Sequence, residues 1–490
     1  MRLHILGAAT GLALALAGCV SSGGLHPDGQ PLDPASLEAG RSLAAFTPSP
    51  AAWPQQDWWS GLGDARLAAL IDEALANNPD LAAADARARQ AQAEAGVADA
   101  ARGPTLDAGA SVAGARIPTT VMPASAGGGH FALAKYAYGN FSWDLDLWGG
   151  KRAAWEAALG QARAAEIERR AARIEVSANV ARAYVQLGYA YAQQDVAKAE
   201  LERAGHARTL TRQRVAAGID SQVQLKQGDE EVASAEQQAA VAARAIDAAR
   251  SSLAVLLGRG PDRGQAIARP QVLRPATLAV PPDLPVDLIG HRADLVAARW
   301  RVEAASRDIQ AAKAEFLPNV SLGALAGFVA LGGGTNLFQM PARFYNVGPS
   351  VSLPLFDGGR RRANLAGQDA AYDLAVAQYN KTLVGAVNEV ADDLSALRSY
   401  GEQIAAQQRA LEAADQAWQL AEQRYRAGVG SYLEALSVRQ QLLADEQRMA
   451  GLQAQQVDAS VQLIQALGGG FRPQPGDDVA ATPVSTSPRD

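Results

Sequence analysis

The stretch "RYRAGVGSYLEAL", residues 424–436, halts a long run of helix formers at Gly428 and restarts it by Tyr432. The stretch "RVAAGIDSQVQL", residues 214–225, does nearly the same in the first half of the chain, aligning Arg214 with Arg424, Gly218 with Gly428, Ser221 with Ser431 and Gln224 with Glu434. Gly218 and Gly428 each supply the left-handed residue on which a helix ends. Ser221 and Ser431, followed three residues later by Gln224 and Glu434, have the capping-box spacing that starts the next helix. Each stretch is therefore expected to be the tip of a helical hairpin, present once in each of two copies of one plan.

A second correspondence widens the duplication to the whole chain. Leu81 matches Leu295 and Pro104 matches Pro318, both at one common offset. A repeat this long is a duplicated domain and not a solenoid unit. After each proline the hydrophobic period changes to two. In "YGNFSWDLDLW" Phe141, Trp143, Leu145 and Leu147 alternate with Asn140, Ser142, Asp144 and Asp146; "TLDAGASVAGA", "NVSLGALAGF" and "NVGPSVSLPLF" alternate in the same way. Four strands follow, at about 104–116, 135–148, 318–329 and 344–356. Strands of roughly 10 residues with one greasy face have the length and pattern of membrane-spanning strands. Four cannot close a barrel, so other chains must complete the sheet: two chains would give eight strands, three would give twelve.

Behind each strand pair, "WGGKRAAWEAAL" and "FDGGRRRANLAG" turn the chain into long proline-free segments, about 150–214 and 360–426. Leu383, Val387, Val390, Leu394 and Leu397, and in the first copy Val180, Tyr184, Leu187 and Tyr191, step by threes and fours as a coiled-coil seam does. Helices of roughly 65 residues would each measure on the order of 100 Å. The hairpin tips are then expected far from the strands, with a membrane end and a periplasmic end.

Composition agrees. Of 490 residues 48% are hydrophobic but only 6% aromatic, the mixture of long helices packed through small side chains. The net charge of -6 lacks the basic surface of a nucleic-acid binder. The start, "MRLHILGAATGLALALAGC", has a basic residue, an apolar core and small residues, as a secretory signal does. Its Cys19 is the single cysteine of the chain, which permits no internal disulfide. The five histidines have no metal-ligand spacing, and the glycine-rich "ALGGGF" and "LGGGTN" lack the strand-to-helix setting of a phosphate loop. No enzyme activity, cofactor or metal site is expected.

The segments "LAGC", "DWWSGLGDARLAALIDEALANNPDL" (57–81), "FSWDLDLWGGKR" (141–152), "LPLFDGGRRRA" (353–363) and the paired tips together resemble the TolC-like outer membrane factors, in particular the lipidated branch that serves tripartite efflux pumps of the resistance-nodulation-division type. The resemblance runs from Cys19 to Gly470 and implies a mainly α fold with membrane β: a homotrimer whose duplicated helical hairpins form a periplasmic tunnel and whose strands, four per chain, form a twelve-stranded transmembrane barrel. It implies lipidation of Cys19, a periplasmic adaptor and an inner-membrane transporter as partners, and contact with outer membrane lipid. The implied organisation is a signal peptide at 1–18, an extended lipidated segment at 19–59, efflux repeats at 60–270 and 285–470 joined by a linker at 271–284, and a disordered tail at 471–490.

The implied function is the exit duct of an efflux pump for small molecules such as drugs. A duct for type I protein secretion and a periplasmic coiled-coil tether without a pore remain as alternatives. Where relatives carry a segment like "DVLDA" after the second tip, this chain has "EALSV", so Glu434 stands at the first acidic position and Ser437 at the second. Glu434, with Arg424, Tyr425, Ser437 and Gln224, is the candidate periplasmic aperture; capping alone is the competing role for Glu434. Lys151, Arg152, Arg360, Arg361 and Arg362, at helix starts where cations oppose the helix dipole, are candidate contacts for anionic lipid, with a plain solvated cluster as the alternative.

Overall fold

A computed structural model describes residues 24–38, 53–116, 118–121, 123–126, 128–271, 273–275, 284–331 and 337–477. The expected signal segment and Cys19 lie outside the described residues. In chain order the elements are α1 (Ala65–Asn77), α2 (Pro79–Ala100), β1 (Thr105–Arg116), β2 (Phe131–Asp144), α3 (Gly150–Ala216), α4 (Gln222–Leu256), the short α5 (Pro261–Gln265), α6 (Leu284–His291), α7 (Ala293–Ala314), β3 (Asn319–Leu331), β4 (Arg343–Ser352), α8 (Arg360–Arg426) and α9 (Tyr432–Ala466). The duplication is visible in lengths: α3 and α8 each have 67 residues, α4 and α9 each 35. Among the described residues no helix is long and apolar enough to cross a membrane.

The chain forms two compact units. One, residues 1–31, 88–164 and 298–379, holds the antiparallel sheet in the order β1-β2-β3-β4. Its register places Leu106 opposite Phe141, Phe141 opposite Ala324 and Ala324 opposite Val347, so these four residues, one from each strand, share one face. The other face carries Asp107, Asn140, Ser321 and Ser350, and the last two hydroxyls are 2.9 Å apart. Leu106 and Tyr345 on the apolar face are each 78% exposed, which water would not favour and hydrocarbon would. Tyr138 is paired with Gly109 on one side and Gly327 on the other; a Cβ at Gly109 would strike the Tyr138 ring, and one at Gly327 would strike the Ala137 carbonyl and the Tyr138 Cα and Cβ. Away from the sheet, Ala305, Ile309, Phe316, Leu365, Tyr372 and Val376 form a core, with Leu25 packed against it.

Two strand limits differ from the expected ones. β2 spans Phe131–Asp144 and not 135–148, and β4 spans Arg343–Ser352 and not 344–356. The alternation continues through Leu147 and Leu355, but the chain leaves the ladder earlier because Asp146 and Asp357 are used to start helices. The Asp146 carboxylate accepts from the N–H groups of Lys151 and Arg152 at 2.9 and 2.8 Å; that of Asp357 accepts from Gly359 and Arg361 at 3.1 and 3.2 Å. A carboxylate there satisfies orphan donors and complements the helix dipole.

The second unit, residues 32–87, 165–297 and 380–490, is built on Leu62, Leu67, Ile71, Tyr184, Leu187, Leu253, Val461 and Ile464. The "DWWSGLGD" stretch enters this core through Trp58 and Leu62, and Asp64 closes it. One Asp64 oxygen caps α1 at Arg66, and the other accepts from the fully buried Tyr184 hydroxyl at 2.8 Å and from the Gln271 N–H at 2.9 Å. Val180, Leu187, Leu383 and Val390 of the expected seams are fully buried. The expected disordered tail at 471–490 does not hold for 471–477, where Phe471 and Asp477 are both buried.

Candidate functional site

The two hairpin tips form as their residues dictate. α3 ends with Gly218 at φ 71° and the Ile219 N–H bonded back to the Arg214 carbonyl at 2.9 Å; α8 ends with Gly428 at φ 75° and Val429 bonded back to Arg424 at 3.0 Å. Each glycine takes the left-handed conformation that other residues resist. At the first tip the Gln224 side chain accepts from the Ser221 N–H at 2.5 Å. At the second the Ser431 hydroxyl accepts from the Glu434 N–H at 3.0 Å, while the Glu434 carboxylate faces Arg424 at 3.8 Å. Glu434 is therefore capped through its backbone, and its charge is turned toward its own hairpin's arginine.

The tips also bond to each other, through a residue that the sequence reading did not single out. The Tyr425 hydroxyl donates to the Asp220 carboxylate at 2.8 Å and lies 3.3 Å from the Thr211 hydroxyl. Arg214 meets both oxygens of Asp220, at 2.8 and 3.3 Å, reaches the Tyr425 carbonyl at 3.4 Å, and places its guanidinium 4.7 Å from the Tyr425 ring centre. Burial pushes the Asp220 carboxyl up, but the hydrogen bonds from Arg214 and Tyr425 outweigh it and hold the group below the usual aspartate value. Burial pushes the Tyr425 phenol up, so the hydroxyl keeps its proton and remains a donor. Asp220 aligns with Gly430, where a Cβ would come within 3.0 Å of Arg424 and Tyr425. The copies differ at the position that links them, and that difference was the available signal.

One turn further in, Tyr432 packs edge-on to Tyr425 with ring centres 5.7 Å apart and donates to Glu231 at 3.1 Å. Glu231 and Glu200 both accept from Arg203, and Glu200 accepts from the buried Arg439 at 2.8 Å. Charges from both hairpins thus cancel pairwise under the tips, the condition for burying them without large cost. Ser437, the second candidate gate position, makes none of the contacts that join the tips.

In the sheet-bearing unit the five candidate basic residues divide. Lys151 pairs with Asp144 at 2.9 Å, Arg152 with Glu156 at 2.8 Å and Arg361 with Asp357 at 2.7 Å. The Arg361 guanidinium beside Asp357 holds that carboxyl below its usual value. Local carboxylates therefore answer for three cations at these helix starts. Arg360 and Arg362 are exposed and have no ion pair among the described residues.

The profile of the family "Outer membrane efflux protein" matches residues 70–259 and 284–469, one span for each copy. The chain is 37% identical over 366 residues to the fusaric acid resistance protein FusA of Burkholderia cepacia, covering 73% of this chain and 68% of that protein. It is 31% identical over 433 residues to the multidrug resistance outer membrane protein MdtP of Escherichia coli strain K12, covering 86% and 88%. Among solved structures it resembles the outer membrane protein VceC of Vibrio cholerae, with a TM-score of 0.79 at 36% identity over 86% of this chain and all of that one. The outer-membrane channel OprN gives 0.81 at 28% identity over 92% and 98%. The chain belongs to the outer membrane efflux protein family and is an outer-membrane channel for efflux.

Proposed function

We propose that the chain is one protomer of a homotrimeric exit duct for small molecules, fed by an inner-membrane transporter of the resistance-nodulation-division type through a periplasmic adaptor. The observation that carries this reading is the four-stranded sheet, with its apolar face and with β1 and β4 each paired on one side alone. Unpaired backbone groups are not tolerated in hydrocarbon, so a membrane sheet of four strands calls for neighbours, and three chains give twelve strands. In this assembly three copies of each tip surround one axis. Glu434, Arg424 and Gln224 border the aperture, and the Asp220–Tyr425 bond holds its two hairpins together. Cys19 carries the lipid anchor, and Arg360 and Arg362 meet anionic headgroups. Cargo selection belongs to the transporter.

The test is reconstitution of the purified chain in planar bilayers with cross-linking of the same sample. Trimer-sized bands with discrete conductance steps are expected; a non-conducting sample would favour a tether. Growth with labelled fatty acid tests the anchor: label in the wild type and none in Cys19→Ser is expected.

A further inference from the structure

The motif "ALGGGF", which has no role in the channel reading, builds a second site in the unit made of residues 32–87, 165–297 and 380–490. After α9 the chain passes through Gly468, Gly469 and Gly470, all at positive φ. A Cβ on these three would strike, in turn, the His291 carbonyl, the Ile174 side chain and the Gln55 carbonyl. Only glycine fits a backbone held so closely. The turn delivers Phe471 and Arg472 to the side of α3 and encloses a cavity of about 300 Å³.

The lining of this cavity includes three arginines, Arg170, Arg173 and Arg472, and no acidic side chain. Arg173 and Arg472 have no ion pair or hydrogen bond among the described residues. Arg170 is held by the tail: its Nη2 donates to both oxygens of Asp477 at 2.8 Å, and its guanidinium lies 5.1 Å from the Phe471 ring centre. Its Nε and Nη1 are buried without a hydrogen-bond partner. Asp477 thus engages Nη2, the nitrogen common to both two-pronged edges of the guanidinium, and leaves Nε and Nη1 as single donors. Buried donors in folded proteins nearly always have a partner, and among the described residues these two have none. Gln56 and Gln474 add amide groups to the lining, and Trp59 and Phe471 add apolar walls. The volume is at the lower end of that of small-molecule sites.

We propose that this cavity binds a small oxyanion, a phosphate or a carboxylate group, on Arg173 and Arg472. Asp477 shows that the patch already accepts a carboxylate from the chain's own tail. The site lies wholly within one unit and its binding is measured without transport, so it stands or falls apart from the duct reading.

The experiment is isothermal titration of the full chain in detergent with sodium phosphate and, separately, sodium succinate, at constant ionic strength set with sodium chloride. Saturable binding of at least one anion is expected, and whichever anion binds identifies the class. The Arg173→Gln/Arg472→Gln double variant is expected to bind at least about tenfold more weakly, because two charge-assisted contacts are gone. Neither side chain is paired among the described residues, so the variant's melting temperature without added anion is expected to match the wild type, which separates lost binding from lost folding. No saturation by either anion below about 10 mM, an affinity weaker than about -3 kcal/mol, would overturn the proposal. Undiminished affinity in the double variant would do the same.

Discussion

The hydroxyl of Tyr425, at the end of α8, donates to the carboxylate of Asp220, in the turn between α3 and α4, at 2.8 Å. Residues 205 positions apart thereby tie the tip of one copy to the tip of the other. Tyr425→Phe removes this bond and the contact with Thr211 while keeping the ring beneath Arg214. A hydrogen bond to a charged group contributes about 1.5–3 kcal/mol, so Tyr425→Phe is expected to loosen the tips without unfolding the hairpins. Asp220→Asn also strips Arg214 of its counter-charge and is expected to act more strongly. Single-channel recording checks both, with larger mean conductance the expected result and wild-type conductance the contrary one. The folded Asp220 carboxyl sits below its unfolded value, so its stabilisation is complete above about pH 4 and is lost as the pH falls further. Wild-type conductance is accordingly expected to be steady from neutral pH down to that limit.

Glu434 and Arg424 are both largely exposed and lie 3.8 Å apart, so their pair contributes little to stability. Glu434→Gln keeps the residue able to be capped by Ser431 through its own N–H and removes the charge. Thermal stability is expected to change by less than about 0.5 kcal/mol, whereas conductance and block by divalent cations are expected to change. Identical conductance and block would reduce Glu434 to a capped helix residue.

Asp393, on α8, is buried, one of its oxygens has no hydrogen-bond partner, and burial followed by Glu389 and Asp392 pushes its carboxyl up to about 7, against the opposing pull of Arg182 and Arg292. The folded protein therefore binds a proton that the unfolded chain has released between about pH 4 and pH 7. In this window the stability contribution of Asp393 falls as pH rises, and above it the penalty is constant. Asp393→Asn is expected to raise stability at pH 8 by on the order of 1–2 kcal/mol and to change it little near pH 4. Thermal melts at the two pH values check this, and an equal effect at both would contradict it.

Arg360 and Arg362 at the α8 start have no carboxylate partner among the described residues. Near an anionic membrane surface each would contribute about 1 kcal/mol. Arg360→Gln/Arg362→Gln is expected to insert normally into zwitterionic vesicles and less efficiently into anionic ones. Equal insertion into both would leave the two arginines as solvated charges.

The duplication, the hairpin tips and the faces of the strands were legible in the sequence because glycine, the capping serines and a period of two act within a few residues of themselves. Strand ends were less so: alternation runs on through Leu147 and Leu355, and nothing in a period of two announces that Asp146 and Asp357 leave the ladder to cap helices. Asp220 was missed because its importance comes from a partner in the other copy, and a repeat is recognised by its identities, not by a difference such as Asp220 against Gly430. The expected disordered tail begins too early. One aromatic, Phe471, and one acid, Asp477, suffice to fix 471–477, and a polar average conceals both.

The open edges of β1 and β4 also bear on inheritance. A chain that cannot face lipid alone must meet its neighbours before or during insertion, and once the ladder is closed in the bilayer, leaving would strip backbone donors and acceptors of their partners in hydrocarbon. Subunits would then be chosen once, at biogenesis, and not exchanged afterwards. In a cell making equal amounts of sound and defective chains, random assembly in threes would leave about one channel in eight free of the defect. A faulty allele with intact strands would therefore behave as dominant, whereas one with broken strands would be silent.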